Sequence, residues 1–199
     1  MSTTITNINQ LDLNGVYTYA DYLLWQLKER IQLFKGKIFA MSPAPRAFHQ
    51  EITANLGEAF RAYFKKKQCK VYFAPFDVRF PDKDGKIKTV VQPDLCVVCR
   101  REQIDKRGCI GAPSLIVEVV STNKENDTKL KYELYQEEGV PEYWIVFPQD
   151  KMIQRYVLEN GEYRGLAPVI AGEEVASATF PDLCFSTEEI FDVWGLEDD

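Results

Sequence analysis

The chain has 199 residues, of which 45% are hydrophobic and 27% are charged. This composition is that of an ordinary globular protein, and the length suffices for one sizeable core, so we expect a single domain over residues 1–199. The polar N-terminus MSTTITNINQLDL lacks a basic flank followed by an apolar stretch, and no apolar run approaches the roughly 20 residues of a membrane-spanning helix. We therefore expect a cytoplasmic protein without a membrane anchor.

The net charge of −6 argues against a dedicated nucleic-acid binder, because contacts with phosphate require clustered cations. The charge is unevenly distributed, however. Residues 61–107 carry 13 Lys and Arg residues against 6 Asp and Glu residues, whereas the acidic C-terminal end, residues 173–199, carries nine acidic residues and no basic one. The pattern is compatible with a basic binding face and equally with a solvated helix end beside an acidic tail.

The N-terminal part of the chain predicts two helices with a strand between them. Residues Thr18–Phe34 begin with an N-cap residue and repeat apolar side chains at helical spacing, which predicts an amphipathic helix. The segment GKIFAM predicts a short strand. After the SPAP turn, a longer helix is predicted by apolar residues at every fourth position, namely Phe48, Ile52, Leu56, Phe60 and Phe64.

The rest of the chain predicts mainly strands. CKVYFAPFDVRF and TVVQPDLCVV predict long strands connected through the charged turn PDKDGK, and SLIVEVVS predicts another. A helix over Asp127–Glu138, ended by Gly139, separates SLIVEVVS from the strand EYWIVF, so these two strands should pair in parallel within a mixed sheet. MIQRYVLENGEYRGL predicts a hairpin turning at Asn160–Gly161, and a short helix is predicted near Glu188–Trp194.

The chain has an odd number of cysteines, and its size requires no disulfide bonds, which favours reduced thiols. They are Cys69, Cys96, Cys99, Cys109 and Cys184. Cys96 and Cys99 form a CxxC motif, but the motif falls on an apparent strand and has no second matching pair. We therefore favour buried, small apolar side chains over a structural zinc site.

Two carboxylates interrupt apolar, β-branched runs that otherwise predict buried strands. They are Asp94 in VVQPDLCVV and Glu118 in SLIVEVVS. A buried carboxylate costs several kcal/mol unless it is neutralised, paired with a cation or bound to metal. Two such groups on neighbouring strands, together with a backbone carbonyl such as that of Val119, suit Mg²⁺ or Mn²⁺ better than zinc. The alternative for Asp94 is an ordinary Pro-Asp turn residue.

Three further residues have more than one interpretation. Asp77 interrupts APFDVRF and is either a third ligand, an orienting acid, or the partner of Arg79 on the same strand face. Tyr143 and Trp144 are aromatic residues of a central strand, for which core packing is favoured over stacking on bases.

The spacing of the two acids resembles a known nuclease superfamily. A Pro-Asp pair followed by Glu118 on an apolar strand resembles the core of the PD-(D/E)xK nucleases, in which a lysine stands two residues after the second acid. In this chain Val120 occupies that position.

A more specific resemblance rests on several strings in order: MSPAP and HQ, QPDL, GAP, LIVEVVS and GVPEYWIV. Together with Asp127, Lys131 and Tyr135, these strings are similar to the Uma family of "putative restriction endonucleases", in which the lysine has moved to the following helix. The resemblance covers about residues 17–160. The stretch QLFKGKIF departs from it, because Gln32 and Lys37 stand where relatives often place acids.

The relocated lysine is physically reasonable. Asp127, Lys131 and Tyr135 are spaced four residues apart and so share one helix face, from which a lysine side chain can reach a neighbouring strand. Lys129 lies on another face and Lys124 falls in the preceding loop, which makes both weaker candidates. Asp127 and Lys131 could instead form an ordinary surface ion pair.

The resemblance implies a restriction-endonuclease-like three-layer α/β/α sandwich with a mixed central sheet, and a homodimer. It implies Mg²⁺- or Mn²⁺-dependent hydrolysis of phosphodiester bonds in nucleic acid, with DNA as the expected substrate. Asp94 and Glu118 would hold the metal, and Lys131 would assist the attacking water. His49, the only histidine, belongs to the HQ string and is a candidate for phosphate contact or proton transfer, while Asp127 and Tyr135 are candidates for supporting roles.

Two other functions remain compatible with the sequence. The first is a binding or regulatory module on a degenerate nuclease fold, which the net acidity and the missing strand lysine favour. The second is a metal-dependent phosphoesterase acting on a small molecule. Fold resemblance alone does not separate these functions from a nuclease.

Overall fold

The computed structural model of the protein describes residues 4–41, 46–121 and 125–194, except for the side chains of residues 125–127. Within these residues the helices are α1 (Tyr19–Tyr22), α2 (Ala47–Phe64), α3 (Glu125–Glu137) and α4 (Thr187–Phe191). The strands are β1 (Ile31–Phe34), β2 (Lys37–Ala40), β3 (Lys70–Phe73), β4 (Asp77–Pro81), β5 (Ile87–Val91), β6 (Leu95–Val98), β7 (Ile104–Asp105), β8 (Gly108–Ile110), β9 (Leu115–Val119), β10 (Glu142–Phe147), β11 (Met152–Glu159), β12 (Glu162–Gly165), β13 (Val169–Ile170), β14 (Glu174–Ala176) and β15 (Cys184–Ser186).

A mixed sheet forms the centre of the fold. Its strand order is β12-β11-β10-β9-β6-β3, and β13 pairs with β11. Strands β9 and β10 are parallel and are connected through α3, whereas the other neighbours are antiparallel. The predicted βαβ unit is therefore confirmed, as are the hairpin at Asn160–Gly161, where both residues have positive φ, and the left-handed Gly139 after α3.

The central sheet carries a different layer on each face. Val117 and Val119 of β9 pack towards α2, within an apolar cluster that includes Trp144 of the next strand. Ile116 packs on the opposite face, in a cluster formed with α3 and a second sheet. The predicted three layers are present, and one outer layer combines a helix with strands. Trp144 and Tyr143 are fully buried, as predicted for core residues.

The second sheet has the order β2-β1-β5-β4-β8-β7. Its β4–β5 hairpin turns through the charged segment predicted from the sequence. Each predicted long strand divides between the two sheets, because β3 and β6 belong to the central sheet while β4 and β5 belong to the second. The divisions fall at Pro75 and Pro93, and proline lacks the N–H needed to continue a ladder.

The helix predicted over Thr18–Phe34 is wrong beyond its first turn. Thr18 does cap α1, with a capping box to Asp21, but the end of the segment forms β1 and pairs with β2. Leu33 of β1 packs into a cluster with Tyr19 and Val90, and neighbouring side chains alternate between the faces of the sheet. Pairing with β2 and β5 therefore overrides the helical spacing of this segment.

The expectation of reduced thiols is wrong for two of the five cysteines. Antiparallel pairing of β3 with β6 aligns Lys70 with Val98, so the adjacent Cys69 and Cys99 face each other and form a disulfide. Their separation of 30 residues along the chain gives no sign of this register. Cys96, the other member of the CxxC motif, is a free, buried side chain in the core, as expected.

A buried carboxylate attaches the C-terminal segment to the central sheet. Glu142 of β10 is fully buried, and its oxygens accept hydrogen bonds from the Trp144 indole and the Ser177 hydroxyl at 2.6 Å each. The backbone N–H groups of Ala178 and Thr179 also donate to it, at 3.1 and 2.8 Å. Across the part of the chain that the structure describes, no helix is both long enough and apolar enough to span a membrane.

Candidate active site

Glu118 and Lys131 form a buried ion pair between strand β9 and helix α3. The Lys131 ammonium donates to Glu118 Oε2 at 2.9 Å, and the two side chains are only 10% and 8% exposed. The Tyr135 hydroxyl, one helical turn further on, donates to the other carboxylate oxygen at 2.7 Å. The helix face predicted from the four-residue spacing therefore does point at Glu118. Burial raises the pKa of Glu118 to about 7, although Lys131 acts in the opposite direction.

Asp94 and His49 form a second pair of titratable groups beside the first. Asp94 directly precedes β6, and its Oδ2 accepts a hydrogen bond from the Val119 N–H at 2.8 Å. His49 Nε2, in the first turn of α2, lies 3.4 Å from the same oxygen and 3.0 Å from the Val119 carbonyl oxygen. Burial opposes the charged form of both groups, but their mutual contact raises the pKa of His49 and lowers that of Asp94. Each group thus stabilises the charge of the other.

The two pairs border one cleft of about 460 Å³. One wall is charged and contains Asp94, Glu118 and Lys131, together with His49. The facing wall comes from the β1–β2 hairpin and consists of Gln32, Phe39, Ala40 and Met41, which we term the hairpin wall. Further polar side chains of the lining are those of Gln92, Ser121, Thr128 and Tyr143. Charged groups from α2, α3, β9 and the start of β6 therefore converge on a single concave surface, which is the usual form of a ligand site.

Asp77 supports the cleft and does not line it. Its carboxylate accepts hydrogen bonds from the Tyr19 hydroxyl and from the Gln92 carboxamide, each at 2.8 Å. The expected alternative, pairing with Arg79, is not the arrangement found, because Arg79 pairs with Asp105. Asp77 therefore orients Gln92, a cleft residue, as an outer-shell acid would.

Several other sequence-based candidates have clear positions. Lys129 is 78% exposed at its side chain and lies near Glu133, away from the cleft. Lys37 is tied to backbone carbonyls of the N-terminal segment, whereas Gln32 lines the cleft. The side chain of Asp127 and all of Lys124 lie outside the described residues. Sequence reasoning missed Gln92 and Phe39, although Gln92 stands in the QPDL string two residues before Asp94.

A buried carboxylate on β9 and a partly exposed one just before β6 fit a divalent cation that prefers oxygen ligands. Mg²⁺ commonly binds through one or two carboxylates and completes its shell with water and substrate phosphate. The described residues contain no cluster of three or more His, Cys, Asp or Glu side chains placed to hold a metal ion. In the structure, Asp94 accepts a hydrogen bond from the Val119 N–H and Glu118 accepts one from Lys131. These hydrogen bonds keep both carboxylates oriented towards the cleft.

The fold matches that of a solved crystal structure. The crystal structure of a "putative nuclease belonging to DUF820" from Anabaena variabilis ATCC 29413 aligns with a TM-score of 0.68. The alignment covers 88% of this chain and 97% of that chain, at 18% sequence identity. At this identity the likeness shows the fold alone, and it confirms the predicted restriction-endonuclease-like α/β class.

The family follows from the sequence itself. The model of the Uma2 family, described as "Putative restriction endonuclease", matches residues 19–188. The match covers most of the chain, which therefore belongs to the Uma2 family. It confirms the resemblance predicted for about residues 17–160 and extends it to the first residues of α4. No curated protein sequence matches the chain.

Proposed function

We propose that this protein is a divalent-metal-dependent nuclease that hydrolyses phosphodiester bonds in nucleic acid, with DNA as the first candidate substrate. The observation that carries the proposal is the convergence of Asp94, Glu118 and Lys131 on one cleft. Membership of a family described as restriction endonucleases supports nuclease chemistry at this cleft.

The proposed metal ligands are the carboxylates of Asp94 and Glu118 and the carbonyl oxygen of Val119. That carbonyl accepts one hydrogen bond from His49 and retains a second lone pair. Mg²⁺ or Mn²⁺ would polarise the scissile phosphate and acidify the attacking water.

The surrounding side chains hold the reacting groups in place. Tyr135 fixes one oxygen of Glu118, and His49 fixes Asp94 together with the Val119 carbonyl. Lys131 carries its ammonium to the carboxylate, where it orients the water and stabilises negative charge developing on phosphorus oxygens. Water adds to phosphorus while one P–O ester bond breaks. The attacking water releases one proton to bulk solvent, and the departing alkoxide takes up a proton from bulk solvent.

The shape of the site favours an extended substrate over a small phosphoester. Asp94 and His49 also line a second hollow of about 490 Å³, which runs along α2 and contains Arg61 and Phe73. A polymer can occupy both hollows across the shared pair, whereas a small molecule fills only one. For cutting both strands of a duplex, we propose a homodimer that presents two such sites related by symmetry.

The proposal is tested by cleavage of plasmid and single-stranded DNA at low salt with Mg²⁺ or Mn²⁺. The wild-type protein is compared with the double variant Asp94→Asn/Glu118→Gln. A control double variant, Asp150→Asn/Glu162→Gln, removes the same two negative charges from exposed positions away from the cleft. We expect nicking or cutting by the wild type and the control, and none by the Asp94/Glu118 variant.

Calorimetric titration with Mn²⁺ provides a second measurement. Binding that is lost in Asp94→Asn would support the metal site. Equal cleavage by all three proteins would refute the assignment of these carboxylates. Absence of cleavage together with absence of Mn²⁺ binding at millimolar concentrations would favour the binding module on a degenerate nuclease fold.

A further inference from the structure

The hairpin wall is built by a tight turn that fixes which side chains stand together. Lys35 and Gly36 have φ values of 50° and 82°, as the turn of a two-residue hairpin requires. The resulting register pairs Gln32 directly with Phe39 across β1 and β2. Side chains of paired residues project from the same face of a sheet, so these two groups lie next to each other on the cleft.

Gln32 presents its carboxamide to the open space of the cleft. The residue as a whole is only 4% exposed and lines the cleft, yet its amide makes no hydrogen bond to any other part of the chain that the structure describes. Neither amide atom is among the fully enclosed polar atoms without a partner, so both can be reached from the cleft. A carboxamide in this position, with both a donor and an acceptor, is therefore suited to a polar ligand that enters the cleft.

Phe39 is an exposed aromatic ring that is nevertheless held in place. It is 41% exposed, while the ring of Phe34, which is 5% exposed, packs edge-on against it at 4.8 Å between centroids. Ala40 and Met41 extend the apolar surface beside the ring. A fixed, accessible aromatic face is the feature on which unpaired bases stack in proteins that bind single strands.

The hairpin wall offers an aromatic ring and a carboxamide, which suit a nucleobase. The other wall offers charged groups, which suit a phosphodiester. We infer that the hairpin wall is a nucleobase subsite, in which one unpaired base stacks on Phe39 and donates to and accepts from the Gln32 carboxamide. The phosphodiester of the same nucleotide then faces Lys131 and the carboxylates. This inference rests on the proposed function, since it assigns the nucleotide beside the scissile phosphate a place in the same cleft.

The test measures binding of a short, fluorescein-labelled single-stranded DNA to the full-length protein by fluorescence anisotropy. All variants carry Asp94→Asn to prevent cleavage, and the second probe is the same backbone with abasic residues. Phe39→Ala should weaken binding of the intact strand about tenfold, and Gln32→Ala several-fold. Phe39→Leu keeps an apolar side chain against Phe34 but removes the aromatic ring, so it should show most of the loss of binding that Phe39→Ala shows. Leu24→Ala, which removes a 73% exposed apolar side chain elsewhere, should bind as the parent does.

None of these changes should affect binding of the abasic probe, because that probe has no base to stack. Equal losses for both probes, no loss for either, or no binding of any probe would each overturn the inference. The two proposals fail separately. Base-dependent binding without cleavage by the wild type would refute only the nuclease, whereas cleavage with no base dependence at Phe39 and Gln32 would refute only the subsite.

Discussion

Replacing Lys131 by methionine tests the buried ion pair on which the cleft depends. The change keeps the length and packing of the side chain but removes the cation that lies 2.9 Å from Glu118. Breaking a buried pair by removing one partner typically costs about 3–5 kcal/mol, because a charge is left buried without compensation. Tyr135 still donates to the carboxylate, so we expect a loss near the lower end, about 3 kcal/mol.

The assay is urea unfolding of the metal-free protein at pH 9, well above the pKa of about 7 to which burial raises Glu118, followed by circular dichroism. Lys129→Met is the matched control, because Lys129 lies on the same helix but has a side chain that is 78% exposed. Its ammonium makes only a weak ion pair, at 3.9 Å from Glu133. It should change the free energy of unfolding by no more than about 0.5 kcal/mol. Adding Glu118→Gln to Lys131→Met removes the buried charge, so the double variant should regain about 2 kcal/mol relative to the single one.

Glu118→Gln alone completes the double-mutant cycle, and a coupling energy within about 0.5 kcal/mol of zero would contradict this account. The same holds if Lys131→Met is no more destabilising than Lys129→Met. Either outcome would mean that water screens the pair in solution and that the cleft does not confine its charges.

Three further predictions concern other parts of the molecule. Glu142→Gln places an amide donor among four donors, so it should lower the free energy of unfolding in urea by at least about 3 kcal/mol. Burial and the neighbouring Glu137 raise the pKa of Glu138 to about 7, so the folded protein keeps a proton that the unfolded chain loses above the ordinary pKa near 4.5. Stability should therefore fall as the pH rises from 4.5 to 7, with Glu118 contributing in the same window, and Glu138→Gln should make this fall shallower. Because Glu138 is only half-buried and solvent screens it, the gain at pH 8 should be about 1 kcal/mol, and an unchanged pH profile of the melting temperature would contradict this. Asp77→Asn disturbs the orientation of Gln92 and should slow metal-dependent DNA cleavage about tenfold with the fold intact by circular dichroism, whereas an unchanged rate would show that this contact does not reach the site.

Local sequence patterns were sufficient to predict the helices and strands whose signals lie within a short stretch of the chain. An apolar strand, a helix with a repeat of four residues and a second apolar strand follow one another closely, and this order sufficed to predict the parallel pair β9 and β10 with α3 between them. The same periodicities placed Glu118 on the strand face opposite Val117 and put Lys131 and Tyr135 on one face of α3. The contact between that helix face and Glu118 could therefore be anticipated before the distances were known.

Tertiary structure decided the features that depend on pairing between distant segments. The end of the predicted first helix is instead β1, because its residues pair with β2 and β5 and alternate between the faces of a sheet. The disulfide between Cys69 and Cys99 exists because antiparallel register aligns residues 30 positions apart.

The cleft itself also required the folded chain. The contact of His49 with Asp94 and the Val119 carbonyl joins α2 to two strands, and the hairpin wall faces the carboxylates only because the second sheet packs on the central one. Hydrophobic periodicity reports the face that a residue occupies on its own helix or strand. It contains no information about which distant strand supplies the neighbour, since that is set by sheet order, register and the packing of one layer on another.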